Sequence, residues 1–65
     1  MTKQEQKQID RATAQGRVAL LRTLAFIHRA GSSRTQREVY AMIIDADAMG
    51  EFILRNGALI HVSEA

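Results

Sequence analysis

Apolar residues recur at three- and four-residue steps through the first half of the chain, which is the spacing of one helix face. Thr2 followed by Glu5 is a capping box, and it marks a helix start near residue 3. Arg29 and Gly31 mark the end, because cations favour the C-terminal dipole and glycine suits a left-handed cap. We therefore predict a first helix over about 3–30. Its predicted core residues are Ile9, Gly16, Leu20, Leu24 and Ile27.

Gly16 lies inside this first helix, where glycine costs about 1 kcal/mol of helix propensity relative to alanine. We interpret it as the site of a close helix crossing, because Ala12 and Ala19 keep the same stripe small. The alternative is that Gly16 only loosens the helix.

The turn 31–33 is long enough only to reverse the chain, and Ser33 with Gln36 repeats the capping-box pattern. A second helix with the same periodicity therefore follows over about 34–55 and packs antiparallel on the first. An extended tail over 58–63 follows this helix. Its predicted core residues are Val39, Ile43 and Ile53. The predicted fold class is mainly α, an antiparallel two-helix hairpin with a short extended C-terminal tail.

Asn56-Gly57 supports two interpretations. It can cap the second helix. Between two short apolar runs, Asn-Gly is also the strongest short signal of a β-hairpin, which would end the second helix near Met49 or Gly50. The pattern alone leaves both alternatives open.

The composition adds a constraint on assembly. A chain of 65 residues is one small domain, and it has no cysteine for a disulfide or a thiolate metal site. Oligomerisation is the usual remedy for so small a core. A second apolar side of the first helix also needs a cover, so we expect a homodimeric helical bundle. That second side comprises Ala14, Val18, Leu21 and Ala25.

Catalytic and metal-binding chemistry finds no support in the residue pattern. The two histidines, His28 and His61, have no cysteine or acidic residue at ligand spacing and no serine in a nucleophile arrangement. Neither a glycine-rich phosphate loop nor a calcium loop is present. We therefore expect no enzyme activity, no catalytic residue, no metal site and no cofactor.

The longest apolar run covers four residues, 24–27, whereas a bilayer span needs about 20. The charged start of the chain is also unlike a signal peptide. We therefore expect no membrane contact and a cytoplasmic location.

Charge is divided unevenly along the chain, whose net charge is +2. Residues 1–37 carry eight basic and two acidic groups, and residues 38–65 carry one basic and five acidic groups. These halves attract each other, which favours antiparallel packing or a dimer in which one protomer's first half meets the other's second half.

A small DNA-binding transcriptional regulator, using the basic first helix with Arg34 and Arg37, is the alternative function. A helix-turn-helix needs a compact three-helix support, and here one helix of about 28 residues precedes the only turn. A ribbon-helix-helix needs its strand first, whereas the strand-like tail comes last. Acidic groups along the second helix would also repel phosphate. We therefore do not expect nucleic acid to be the partner.

The capped basic helix with residues 14–21 (AQGRVALL), the turn 31–33 and a second helix with Tyr40 together resemble small host-takeover proteins of temperate phages. In particular they resemble the dimeric helical-hairpin quorum-sensing anti-activators of Pseudomonas phages, and small anti-CRISPR proteins share this style. The resemblance implies a dimer, in the host cytoplasm, that binds a LuxR-type transcription regulator and stops it engaging DNA. Pilus machinery is another implied target.

We therefore expect a non-enzymatic inhibitor that binds and blocks a larger host protein. Exposed basic and aromatic side chains carry its predicted partner-binding surface, because tyrosine and arginine are the types most enriched at binding hot spots. These residues are Arg17, Arg22, Arg29 and Tyr40.

Overall fold

The computed structural model of the protein describes all 65 residues and is mainly helical. Three helices come first: α1 (Lys3–Gln15), α2 (Arg17–Ala30) and α3 (Ser33–Asp45). Two antiparallel strands follow: β1 (Phe52–Arg55) and β2 (Ala58–His61). Short 3₁₀ turns cover Met49–Glu51 and Val62–Glu64. None of the helices combines the length and the apolar character that crossing a membrane requires.

The predicted capping box at the start of α1 is confirmed. The backbone N–H of Glu5 donates to Thr2 Oγ1 at 3.1 Å, and the backbone N–H of Thr2 donates to Glu5 Oε1 at 2.8 Å. Two amide groups that the helix leaves without partners are thereby satisfied, which fixes where α1 begins.

The single helix predicted over 3–30 is wrong, because the chain turns at Gly16. This residue has φ 119° and ψ 175°, a conformation that is essentially restricted to glycine. Its N–H donates to Thr13 O at 3.2 Å and its carbonyl accepts from Leu20 N–H at 3.0 Å, so one residue ends α1 and starts α2. The predicted close crossing at Gly16 is also wrong, since no heavy atom lies within 4 Å of the place a Cβ would occupy.

Gly31 and Ser32 alone connect α2 to α3. Ser32 is the N-cap, one residue earlier than predicted, and its Oγ accepts the N–H of Thr35 at 3.2 Å. Gln36 Nε2 does not reach back to the cap but donates to His28 O at 2.9 Å. Gly31 is extended, with φ −87°, rather than left-handed. Crowding explains the glycine here, because an added Cβ would lie 2.6 Å from Thr35 Cγ2.

The second helix predicted over 34–55 is wrong, because α3 ends ten residues earlier. The N–H of Ala48 donates to Ile43 O at 3.0 Å and the N–H of Asp47 donates to Ile44 O at 2.9 Å, which are the two bonds of a Schellman motif. Asp47 adopts φ 53°, which aspartate tolerates better than most residues. Ala48 is fully buried in the hydrophobic cluster that also contains Ile43, and its burial in the core favours this ending of the helix.

The β-hairpin alternative is correct, and the extended tail predicted over 58–63 is replaced by β2 and a 3₁₀ turn. Asn56 and Gly57 both have positive φ, 53° and 78°, as a type I′ turn requires. A type I′ turn matches the right-handed twist of the two strands that it connects. In the ladder, Phe52 pairs with His61 and Arg55 pairs with Ala58.

One hydrophobic cluster joins the helices to the hairpin. Of the predicted core residues, five are buried, Leu20 and Ile53 are half-buried, and Gly16 is exposed at the turn. The five buried ones are Ile9, Leu24, Ile27, Val39 and Ile43.

Part of the second apolar side of the predicted first helix belongs to this same cluster. Leu21 and Ala25 are both fully buried, together with Phe52 and Leu59 of the hairpin. The expectation that a second copy or a partner must cover this side is therefore wrong for these two residues, because the chain's own hairpin packs on α2.

The turn at Gly16 gives a first testable prediction. Gly16→Ala should lower the free energy of unfolding by about 1–3 kcal/mol, the usual penalty for a non-glycine residue in this conformation. For a domain of this size that lowers the Tm by roughly 4 °C or more, measured by thermal unfolding followed by circular dichroism.

Gly50→Ala is the matched control, because the space around both glycines is open and only Gly16 has a positive φ. Its Tm should stay close to that of the parent. A higher Tm for Gly16→Ala would show that residues 3–30 form one continuous helix, in which alanine is favoured.

Candidate nucleic-acid interface

The start of α3 and the tip of the hairpin lie at the same end of the molecule. Arg29, near the end of α2, donates from Nη1 to Leu59 O at 2.7 Å. The next pair of the β-ladder beyond Leu59 is Arg55 with Ala58, at the tip. Since only two residues separate α3 from α2, the first turn of α3 shares this end. We call it the basic end, defined by Arg34, Arg37, Tyr40 and Arg55.

The side chains of the basic end are open to solvent. Arg34 is 82% exposed and Tyr40 is 45% exposed. Arg37 and Arg55 are exposed and take no part in any ion pair or side-chain hydrogen bond. A shallow depression beside Arg37 and Tyr40 is completed by His28, which lies at the end of α2. Two cations without carboxylate partners therefore remain available to an anionic ligand.

The carboxylates near the start of α3 are already bound. Glu38 accepts from the N-terminal ammonium of Met1 at 3.0 Å and from Arg34 Nε at 3.2 Å, and the ammonium hydrogen bond is the main cause that lowers the pKa of Glu38. Glu5 also accepts from the Thr35 hydroxyl at 3.2 Å, and its bond from the Thr2 N–H lowers its pKa. Glu38 is therefore paired with two cations, whereas Glu5 is hydrogen-bonded to neutral donors and keeps its negative charge.

The free acidic residue of α3 lies at its other end. Asp45 follows Arg37 by eight residues, which is about 12 Å along a helix axis. That distance exceeds the Debye length of about 8 Å at physiological salt. Repulsion between Asp45 and an anion bound at Arg37 is therefore largely screened.

The base of the hairpin is tied to the start of α2 by Arg17. Its Nη2 donates to Glu51 Oε2 at 2.6 Å and to Ala46 O at 3.3 Å. The hydrogen bond from Arg17 is the main cause that lowers the pKa of Glu51. This contact joins the start of α2 to the residue that follows α3 and to the 3₁₀ turn that precedes β1.

His61 completes this attachment from inside the core. It is 3% exposed, and its ring meets the Phe52 ring edge to face, with centroids 5.5 Å apart. The Ser63 N–H donates to Nδ1 at 3.1 Å, so the ring proton belongs on Nε2, which faces Glu51 Oε1 at 3.4 Å. Both ring nitrogens therefore have hydrogen-bond partners, and this structural role is enough to explain why His61 is buried.

A second basic surface lies between α1 and α2. It is an open groove of about 520 Å³ that we call the arginine groove, defined by Arg11, Arg22, Arg29 and Phe26. Arg22 Nε donates to Glu64 at 3.3 Å on its edge, and the Arg29 guanidinium lies 5.8 Å from the centroid of the Phe26 ring. Phe26 is 55% exposed, so the groove combines positive charge with an aromatic surface.

The four predicted partner-binding residues do not form one surface. Arg17 is at the hairpin base, Arg22 and Arg29 line the arginine groove, and Tyr40 lies on α3. All three arginines donate to acceptors within the chain.

Five exposed residues outside that set belong to the two basic surfaces. Arg34 and Arg37 are predicted for the alternative function, whereas Arg11, Phe26 and Arg55 are not predicted for either function. Arg55 directly precedes Asn-Gly, so the hairpin alternative would have placed it at a tip. Phe26 precedes Arg29 by three residues, which puts the two on one helix face.

No three His, Cys, Asp or Glu side chains lie close enough together to hold a metal ion. The chain matches no protein-family profile, and no curated protein and no solved structure is significantly similar to it.

The ion pair at the hairpin base gives a prediction for pH dependence. Because the folded pKa of Glu51 lies below its ordinary value of 4.5, its pairing stabilises the fold above that pH and is lost as the pH falls through the folded pKa. Glu51→Gln should therefore have a lower Tm than the parent at pH 7. The difference should shrink towards about pH 3, measured by melting curves across this range.

Asp10→Asn removes the same charge from an exposed residue inside α1 that forms no ion pair, and its Tm at pH 7 should match that of the parent. A constant difference in Tm between Glu51→Gln and the parent from pH 7 to 3 would contradict a role for the ionised carboxylate.

Proposed function

We propose that the protein binds double-stranded DNA through α3 and the tip of the hairpin. The observation that carries this proposal is the pair of exposed cations without partners, Arg37 and Arg55, on two elements that Arg29 places at the same end of the molecule. The turn at Gly16 supports it, since α1, α2 and α3 then supply the compact three-helix support that a helix-turn-helix needs.

The start of α3 has the features of a recognition helix. A two-residue turn that contains glycine separates it from α2, and its first turns carry the exposed arginines. An α-helix fits the major groove, and arginine forms bidentate hydrogen bonds with guanine there. We assign base contact to Arg37, and assign Arg34 to a phosphate, because the Arg34 side chain is already shared with Glu38.

The hairpin tip would extend the contact along the duplex. Arg55 stands at the end of β1 beside the Asn56-Gly57 turn, with no acidic partner. Arg29 holds the tip against α2 through Leu59 O. A cation held on such a short, anchored hairpin loses little freedom when it meets a phosphate or a groove wall.

Phosphate contacts make the proposal measurable by its salt dependence. We expect the chain to bind a fluorescent mixed-sequence duplex of 20 base pairs in 50 mM salt, followed by anisotropy. The affinity should fall as salt rises, with a log–log slope of about −0.9 for each phosphate contact. Arg34→Ala and Arg55→Ala should each weaken binding and reduce the slope by about 1.

Arg37→Ala should instead weaken binding by about 1–3 kcal/mol for a selected duplex and relax its sequence preference. Lys7→Ala is the matched control, because it removes one exposed cation from α1, which lies outside the proposed surface. Equal losses of duplex affinity for Lys7→Ala and Arg37→Ala would show that the duplex also binds the basic side chains of α1. No binding at 50 mM salt would refute the proposal.

A second candidate function, favoured by one observation, is inhibition of a host protein. Tyr40 and Ile44 are 45% and 51% exposed and lie one turn apart on α3, which gives an apolar strip that phosphate contact does not require. We propose that this strip would bind the host protein, with a LuxR-type regulator as the partner suggested by the resemblance to phage anti-activators.

The two candidates separate in one experiment. If a tagged chain captures a purified LuxR-type regulator, Ile44→Thr should reduce capture and leave duplex binding unchanged. Val62→Thr is the control, because Val62 is a similarly exposed branched residue, 45% accessible, outside α3. Capture that is equally strong in both variants would exclude the strip from the interface.

A further inference from the structure

The arginine groove holds more positive charge than the chain itself neutralises. The only carboxylate among its lining residues is that of Glu64, which accepts from Arg22 Nε at 3.3 Å. Arg11 forms no ion pair, and Arg29 donates to a neutral carbonyl, that of Leu59. Two cations therefore lack a counter-charge in the groove, which makes it complementary to an anionic ligand.

Small side chains between α1 and α2 give the groove its depth. Ala12 of α1 is buried and Ala19 of α2 is half-buried, and both line the groove. The exposed side chains of Arg11 and Arg22 lie on its two opposite helices. The axes of packed helices are only about 8–10 Å apart, so this space admits a single extended chain. A DNA double helix, whose major groove alone is about 12 Å wide, cannot enter it.

An aromatic ring lies exposed among these cations. Phe26 is 55% exposed, which leaves a large apolar surface in water. The Arg29 guanidinium lies 5.8 Å from the centroid of this ring, within the range of a cation–π attraction. Arg22 precedes Phe26 by four residues and Arg29 follows it by three. A cation therefore lies about one helical turn from the ring on each side.

This alternation of cation, ring and cation matches a strand of nucleotides, in which each internal base has a phosphate before it and a phosphate after it. Proteins that bind single strands combine a positively charged groove for the backbone with aromatic side chains on which bases stack. In a duplex the base faces are covered by neighbouring bases. An acidic peptide would pair with the arginines, but it supplies no planar group in regular alternation with its charges.

We propose that the arginine groove binds a single strand of nucleic acid, with one base stacked on Phe26 and the flanking phosphates paired with Arg22 and Arg29. Arg11 contacts a further phosphate from the side of α1. Arg22 exchanges its bond with Glu64 for the phosphate. This ion pair is readily exchanged, because the two side chains are 54% and 34% exposed and solvent screens the attraction between them.

Short oligonucleotides separate stacking from charge. The chain should bind a fluorescent oligothymidylate octamer in 50 mM salt, followed by anisotropy, and should bind an abasic octamer with the same phosphates more weakly. Phe26→Ala should lower the affinity for oligothymidylate about 5- to 100-fold, the usual effect of removing one stacking side chain. It should leave the affinity for the abasic octamer unchanged. Tyr40→Ala is the matched control, because it removes a ring of similar exposure, 45%, from outside the groove.

The charges of the groove give two effects of opposite sign. Arg11→Gln should weaken binding of both octamers and reduce the log–log salt slope by about 0.7, the value for one phosphate of a single strand. Lys7→Gln, its control, removes a cation one turn earlier on α1 and outside the groove. Glu64→Gln should tighten binding, because no carboxylate then competes with the phosphate. Asp10→Asn is its control, since it removes the same charge outside the groove.

A parent chain that binds no octamer in 50 mM salt would overturn the proposal. So would an abasic octamer that binds as tightly as oligothymidylate, or equal losses for Phe26→Ala and Tyr40→Ala while circular dichroism shows both folded. An octaglutamate peptide that binds as tightly as oligothymidylate would also overturn it, and would assign the groove to an acidic protein surface. An oligouridylate octamer should bind too, because the proposed contacts do not involve the sugar. Binding of only one of these two strands would contradict those contacts.

The outcome is separable from that of duplex binding at the basic end, on which the groove does not depend. Arg37→Ala should reduce duplex affinity and leave the affinity for oligothymidylate close to that of the parent. Phe26→Ala should do the reverse. A parent chain that binds oligothymidylate but no duplex would refute the proposed function and support the groove. Duplex binding without octamer binding would overturn the groove alone.

Discussion

The backbone conformation of Gly16 is the constraint on which the rest of the structure depends. With φ 119° and ψ 175°, this one residue ends α1 and starts α2 without a loop between them. A continuous helix over the same residues would be about 42 Å long at 1.5 Å per residue and would leave α3 a single neighbour. The turn instead lets α1 pack on α2, and Ile9 joins the core that α2 and α3 share.

The hairpin closes that core and determines which cations stay free. Arg17 and Arg22 bind Glu51 and Glu64 beyond the ends of the two strands, and Arg29 binds a carbonyl of β2. All three arginines of α2 therefore attach the C-terminal segment to the helix. These pairs satisfy part of the attraction between the basic and acidic halves of the chain, and they do so within one molecule.

Local signals predicted the helix starts better than the helix ends. The capping box at Thr2 involves neighbours three residues apart, so it is readable from sequence, and the core positions Leu24, Ile27, Val39 and Ile43 follow the helical period. The end of α3 was not readable in this way. Apolar spacing continues through Gly50, and its Schellman motif uses Asp47 where glycine is usual. The buried contact of Ala48 that favours this ending is tertiary.

The candidate surfaces depended on the same two errors. If residues 3–30 form one helix, the chain has only two helices. A helix-turn-helix then lacks its three-helix support, which is why the sequence argued against this motif. Reading 34–55 as one helix placed Arg55 on a helix instead of at a hairpin tip. The prediction that Arg17, Arg22 and Arg29 bind a partner takes no account of their acceptors within the chain, because these lie more than 25 residues away and leave no trace in the spacing.

Pairing between the two halves of the chain leaves unpaired cations near the start of α3 and unpaired carboxylates beyond its end. The unpaired cations Arg37 and Arg55 lie at the basic end, and the unpaired carboxylates Asp45 and Asp47 lie beyond the far end of α3. Along α3 itself the field therefore points in one direction, from positive at its start to negative at its end, in the same sense as the helix dipole. An approaching polyanion is attracted to the start of α3 and repelled from the segment beyond its end, so the charges along α3 favour an approach at the basic end.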